Sequence, residues 1–146
     1  MNMKNFERTA LYIRVTSDAQ NEGVNSLDTQ KQRLMQFCEL QGITDYEFYI
    51  DSDPSESDTD RPEMTRMIND VMSGKIVRVV VNKLDRIHSY QKSAISLLTE
   101  VFEPCGCSFV SLYEGLDTST ALGKAIVGMV SAFAELESEN IEAHTI

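Results

Sequence analysis

A chain of 146 residues with 42% hydrophobic content is about one domain long and can bury a sizeable core without disulfides or a structural metal. Its three cysteines are an odd number, and no apolar run reaches the roughly 18 residues of a membrane span, so a reducing, cytoplasmic setting is expected and a disulfide scaffold is not. A net charge of −10 argues against a simple nucleic-acid binder, whose phosphate contacts are usually announced by a basic surface, although overall charge can hide a local basic cluster.

The first element is a short β-rich run, Leu11 to Val15, which stops at two adjacent hydroxyl residues, Thr16 and Ser17. After the loop NEGVN, Ser26 is a plausible N-cap for a helix running to Gln41, with Gly42 as its C′ stop. Tyr46 to Ile50 is a second strand. Pro62, at a first-turn position, opens a helix in which Met64, Met67, Ile68 and Val71 recur at helical spacing before Gly74 ends it. Ile76 to Val81 is nearly all apolar and β-branched, as a central strand covered on both faces should be. A helix from about Tyr90 to Glu103 and a fourth strand from Ser108 to Leu112 follow. Strands alternating with helices imply right-handed crossovers and an α/β fold with a mainly parallel sheet of four to five strands flanked by helices. No internal repeat or low-complexity tract interrupts the series.

The last segment has a different pattern. Asp117-Thr118-Ser119-Thr120 supplies several N-cap candidates, after which Leu122, Ile126, Met129, Phe133, Leu136 and Asn140 recur at spacings of four and three. Ala125, Val127, Val130 and Ala134 widen that stripe, so part of this long helix is expected to pack against a partner subunit; the alternative is a core helix with a broad stripe.

Two segments invite a metal reading, and neither sustains it. Five of the ten residues from Asp51 to Asp60 are acidic, but Glu56 occupies the position where a calcium loop needs Gly and Pro62 the position where it needs Glu. What remains is a polar, Pro-containing loop, either solvated surface or an active-site flap. Cys105 and Cys107 form C-x-C with no second pair and only His88 and His144 to assist, and are read as buried, inert thiols.

In an open parallel sheet, ligands bind beyond the carboxyl ends of the strands. Two loops are expected there: Thr16-Ser17 after the first strand and Asn82-Lys83-Leu84-Asp85-Arg86 after the third. If those strands are adjacent, Arg14, Thr16, Asp85 and Arg86 come together, with Arg61 able to swing over them. An arginine cluster around a hydroxyl suits a phosphodiester, because guanidinium forks bind phosphate oxygens bidentately and stabilise transition-state charge without a metal. Strand alternation favours Thr16 over Ser17, since Tyr12, Arg14 and Thr16 share one face.

Five motifs in order, Tyr12-Ile13-Arg14-Val15 before hydroxyl residues, Ser26-Leu27-Asp28-Thr29-Gln30, Asp60-Arg61-Pro62, Lys83-Leu84-Asp85-Arg86, and Asp117-Thr118-Ser119-Thr120 before a helix containing Phe133-Ala134-Glu135-Leu136-Glu137, resemble the catalytic domain of the serine recombinases. The resemblance to this resolvase, invertase and transposon-integrase family covers nearly the whole chain. It implies a resolvase-like catalytic domain over residues 1–120 and a long dimerisation helix over 121–146 leading towards DNA. It also implies attack on a DNA phosphodiester by a serine hydroxyl, leaving a 5′-phosphoserine link and a free 3′-hydroxyl. Strand exchange would follow in a tetramer built from homodimers, acting on double-stranded DNA, with no metal, cofactor or small-molecule substrate and no membrane. By the same resemblance, Arg14, Arg61 and Arg86 would hold the scissile phosphate, Asp85 would position Arg86 or manage a proton, and Gln30 would support the site.

The chain departs from that pattern at chemically important positions. The family nucleophile directly follows Arg-Val, where this chain has Thr16, with Ser17 one residue late. A second arginine expected three residues after Arg86 is Ser89, and two Glu-Arg pairs expected near the end are Glu137-Ser138 and Ala143-His144. These departures suggest a recombinase-type domain with impaired cleavage. A silent homologue that binds DNA or pairs with an active recombinase, and an unrelated flavodoxin-like binding domain, are the alternatives. The family usually continues into a separate DNA-binding module, so the chain is expected to be a fragment or unable to recognise a site alone.

Overall fold

The computed structural model describes residues 8–16, 26–53, 61–84 and 91–144. Its elements are β1 (Arg8–Thr16), α1 (Leu27–Gln41), β2 (Tyr46–Asp53), α2 (Pro62–Met72), β3 (Ile76–Val81), α3 (Gln91–Leu97) running into a π-helical turn (Leu98–Phe102), β4 (Ser108–Ser111), β5 (Leu116–Asp117) and α4 (Ala121–His144). The sheet order is β2-β1-β3-β4-β5; all neighbours are parallel except β5, which runs antiparallel to β4.

The caps explain where the helices begin and end. Ser26 accepts the Thr29 N–H at 3.2 Å, and Gly42 takes the left-handed conformation (φ 71°) that closes α1. Thr120, among the several candidates before α4, accepts the Gly123 N–H at 2.9 Å. Gly123 itself faces β5 so closely that a Cβ there would lie 1.8 Å from the Asp117 carbonyl oxygen.

Strand alternation divides the core into two layers. Leu11, Ile13, Val15, Val80 and Val110 point to α1, where Leu34 and Cys38 cover them. Ala10, Tyr12, Val79, Val81 and Phe109 point to the opposite face, under Met64 and Met67 of α2, Ile95 and Phe102 near α3, and Val127 of α4. Each such fully buried side chain contributes about 1.5–3 kcal/mol of transfer free energy. β1 and β3, buried on both faces, are the adjacent inner strands that the expected site requires.

Several expectations need correction. Asp51, Ser52 and Asp53 are strand residues rather than part of an acidic loop, and Asp51 is buried; residues 54–60 lie outside the described set. The third helix is regular only to Leu97 before its π-turn, and Tyr90 lies outside the described residues. β5 was not among the expected strands. Cys105 is exposed, against the expectation of a buried thiol, whereas Cys107 and Cys38 are buried; burial pushes the Cys107 thiol up to about 12.

Candidate active site

β1 is last paired with β3 at Tyr12 opposite Val81, and its remaining residues run on beside β2, Arg14 opposite Asp51 and Thr16 opposite Asp53. Its carboxyl end therefore projects past β3, where the chain turns away through Asn82, Lys83 and Leu84. The polar core of the site sits on this projection. Tyr12, Arg14, Asp51 and Arg61 are respectively 0%, 7%, 2% and 8% exposed, which is unusual for such polar groups and requires a structural reason.

Asp51 provides much of that reason. α2 starts with Arg61 at its N-cap, and no Arg61 side-chain bond caps the helix. The first-turn N–H groups would be orphaned without an acceptor. Asp51 supplies it from β2: Oδ1 accepts the Glu63 N–H at 2.9 Å and Oδ2 the Met64 N–H at 3.0 Å. The Tyr12 hydroxyl donates to the same Oδ2 at 2.8 Å. One carboxylate thus ties β1, β2 and the start of α2 together, and with them the residue that carries the Arg61 guanidinium.

Burial raises the Tyr12 hydroxyl far above the ordinary tyrosine value; the Asp51 hydrogen bond and charge add to this, while Arg61 and Arg14 oppose it. Arg14 shares the Tyr12 face of β1 and stands opposite Asp51, and Arg61 begins the helix that Asp51 caps, so both arginines are carried to the same carboxyl edge. Two guanidinium groups at a partly dehydrated edge have the chemistry that an oxyanion such as a phosphodiester requires.

Gln30 is buried in the first turn of α1, on the other side of the sheet, where its backbone oxygen accepts from Asn82 Nδ2 at 3.4 Å. The Asn82 Oδ1 is buried with no hydrogen-bond partner among the described residues. Thr16 is the last residue of β1. Ser17, Asp85 and Arg86 lie outside the described residues, as do His88 and Ser89.

Sequence reading did not single out Asp51 or Tyr12 as site residues, yet a signal existed. Pro62 announces a helix start, but Arg61 is a poor N-cap, so an acceptor had to come from elsewhere in the chain. Outside this edge, Arg66 bridges Glu63 and Glu47 at 2.7 Å each on an exposed face, which holds Glu63 below its ordinary carboxyl value. A cavity of about 500 Å³ lies at the amino end of β4, between the π-turn and α4, apart from the arginines. Among the described residues no group of three His, Cys, Asp or Glu could hold a metal, and no helix is long and apolar enough to cross a membrane.

The family profile described as resolvase, N terminal domain, matches residues 9–146. The solved N-terminal catalytic domain of TP901-1 integrase is 35% identical, with a TM-score of 0.82 over 91% of this chain and 98% of that one. Serine recombinase gin of Escherichia phage Mu is 33% identical over 92% of this chain and 62% of its own length. The Tn917 transposon resolvase of Enterococcus faecalis is 38% identical over 59% of this chain and 45% of its own. The chain thus spans between 45% and 62% of these two curated relatives. A parallel sheet with paired arginines at its carboxyl edge, and these likenesses in sequence and fold, lead to one family: the chain belongs to the resolvase N-terminal domain family and is a serine recombinase type of catalytic domain.

Proposed function

We propose that the chain is the catalytic part of a site-specific DNA recombinase whose cleavage step is slow. The observation that carries this reading is the burial of two arginines at the carboxyl edge of β1, Arg14 opposite Asp51 and Arg61 at the start of the helix that Asp51 caps. In the proposed reaction a hydroxyl oxygen of Thr16, or of Ser17, attacks the phosphorus of a DNA phosphodiester. An oxygen–phosphorus bond forms to the protein, the bond to the 3′-oxygen breaks, and that oxygen takes up a proton to leave a free 3′-hydroxyl. Arg14, Arg61 and Arg86 hold the phosphate and its developing charge, Asp85 positions Arg86 or handles the nucleophile's proton, and Gln30 supports the edge from α1. Resealing is the reverse attack, so the linkage stores the bond energy. Residues 1–120 would perform this chemistry, and residues 121–146 would pair two copies through the exposed stripe of α4, two such dimers forming the exchanging tetramer.

Slow cleavage follows from two substitutions. Thr16 offers a secondary alcohol, more hindered towards phosphorus than a serine hydroxyl, and Ser89 stands where the family resemblance expects a cation; losing one preorganised charge-stabilising donor lowers a rate by about a hundred- to a thousand-fold. The test is covalent adduct formation with a nicked DNA duplex bearing the cognate site. Thr16→Ser with Ser89→Arg is expected to form adducts at least about a hundredfold faster than the unaltered chain. Equal rates would overturn the slow-cleavage reading. No adduct in any variant, with dimers still present, would favour the silent homologue that pairs with an active recombinase.

A further inference from the structure

Glu114 is an exposed carboxylate at the carboxyl edge of the sheet, where a negative charge disfavours an approaching phosphate and so calls for a structural role. Its oxygens are engaged. Both oxygens lie within reach of the Leu84 N–H, at 3.2 and 3.3 Å, and Oε1 also accepts the hydroxyl of Ser111, which is 0% exposed at the end of β4. The backbone around it extends the same connection. The Tyr113 N–H donates to the Asn82 carbonyl at 2.8 Å, continuing the β3–β4 ladder past the strand ends, and Gly115, at φ 66°, turns the chain back into β5. Lys83 lies over the Tyr113 ring at 4.4 Å and adds a second side-chain clasp. The turn from Leu112 to Gly115 therefore grips residues 82, 83 and 84 in succession, immediately before Asp85 and Arg86 in the sequence.

The geometry points to Glu114 as a positioning residue: it fixes Leu84 and with it the chain leaving β3, the strand exit that the Lys83-Leu84-Asp85-Arg86 motif follows in the sequence. This rests on the recombinase reading for its consequence in catalysis, but the grip itself stands on Ser111, Leu84 and Glu114 alone. A neutral amide at position 114 keeps one acceptor oxygen, so Glu114→Gln should preserve much of the effect, whereas Glu114→Ala removes it.

The test compares Glu114→Ala and Glu114→Gln in the whole chain carrying Thr16→Ser with Ser89→Arg. Hydrogen exchange at the Leu84 amide is expected to quicken about tenfold in Glu114→Ala and less in Glu114→Gln. The Arg86 side-chain N–H resonance should move in Glu114→Ala and return towards its original position in Glu114→Gln. Adduct formation at saturating duplex should fall about tenfold with duplex affinity unchanged, and Glu114→Ala should add no further loss once Arg86→Ala is present. Unchanged Leu84 exchange, an unmoved Arg86 resonance, or losses that multiply with Arg86→Ala would each overturn the proposal. If that doubly substituted parent forms no adduct, the recombinase reading fails, while the Leu84 and Arg86 measurements still decide the role of Glu114.

Discussion

Asp51 accepts a hydrogen bond from Tyr12 and two from the first turn of α2, those from Tyr12 and Met64 buried and that from Glu63 partly so, and its removal leaves several donors stranded at once. Each stranded buried donor costs about 1–3 kcal/mol, and with partial relaxation Asp51→Ala should lose about 3 kcal/mol in urea unfolding at neutral pH. Tyr12→Phe removes one donor with its partner still satisfied by two amides, and should lose only about 1 kcal/mol. The two differ again at alkaline pH. The Tyr12 hydroxyl is held protonated well above the ordinary value of about 10, chiefly by burial. Above pH of about 10 the unfolded chain has released this proton while the folded chain keeps it, so stability falls as pH rises. Tyr12→Phe removes that share and should show a shallower alkaline decline; a slope equal to that of the unaltered chain would refute the assignment. Tyr49, raised by burial and then by its bond to Asp70, keeps its own contribution in both proteins.

At the level of elements, the regular parts were legible because their signals are local. Ser26, Gly42, Pro62 and the nearly all-apolar Ile76–Val81 run each act within a turn or a strand, and the structure uses them as read. The two-residue β5 and the π-turn were not legible, since each is too short to show a periodicity of its own and takes its form from packing on β4. β5 is held by pairing with β4, and the π-turn packs Phe102 against Phe109 with ring centroids 6.1 Å apart. α4 shows both kinds of information in one helix. The stripe of Leu122, Met129 and Phe133 is 72%, 61% and 62% exposed, while Val127, on another face, is 7% exposed and sits in the core. Substitutions on the two faces should therefore separate. Met129→Glu with Phe133→Glu should convert a dimer to a monomer in sedimentation while leaving monomer unfolding almost unchanged. Gly123→Ala, which drives a methyl into the Asp117 carbonyl, should destabilise the monomer by about 2 kcal/mol or more without acting on the exposed stripe. Association that survives both glutamates would remove this stripe as the pairing surface.

For the molecule as a whole, the arginines show where sequence reading succeeds and where it stops. Arg14 and Arg61 were legible as partners because β1 and the start of α2 meet at a parallel sheet's carboxyl edge, a place fixed by strand–helix alternation. Gln30, expected to support the site, lies buried in the first turn of α1 beside Asn82, and its side of the sheet follows from how α1 packs on Leu11, Ile13 and Val15, which spacing alone does not reveal. Asp51 was hidden because an acidic run reads as solvated surface until the helix it caps is folded against it. The same limitation applies to charge. A chain of net charge −10 can approach a polyanion only through a local cluster, so its affinity for duplex DNA should depend on few phosphate contacts and weaken only gently with salt. Each added contact steepens the plot of log affinity against log salt by about 0.9 on duplex DNA. Ser89→Arg is therefore expected to tighten binding at low salt and steepen that slope by about 0.9, whereas Ser138→Arg, near the end of α4, should do the same only if that helix runs along the DNA. A slope unchanged by Ser89→Arg would mean that position 89 does not reach a phosphate, and the missing arginine could then not account for slow cleavage through lost phosphate contact.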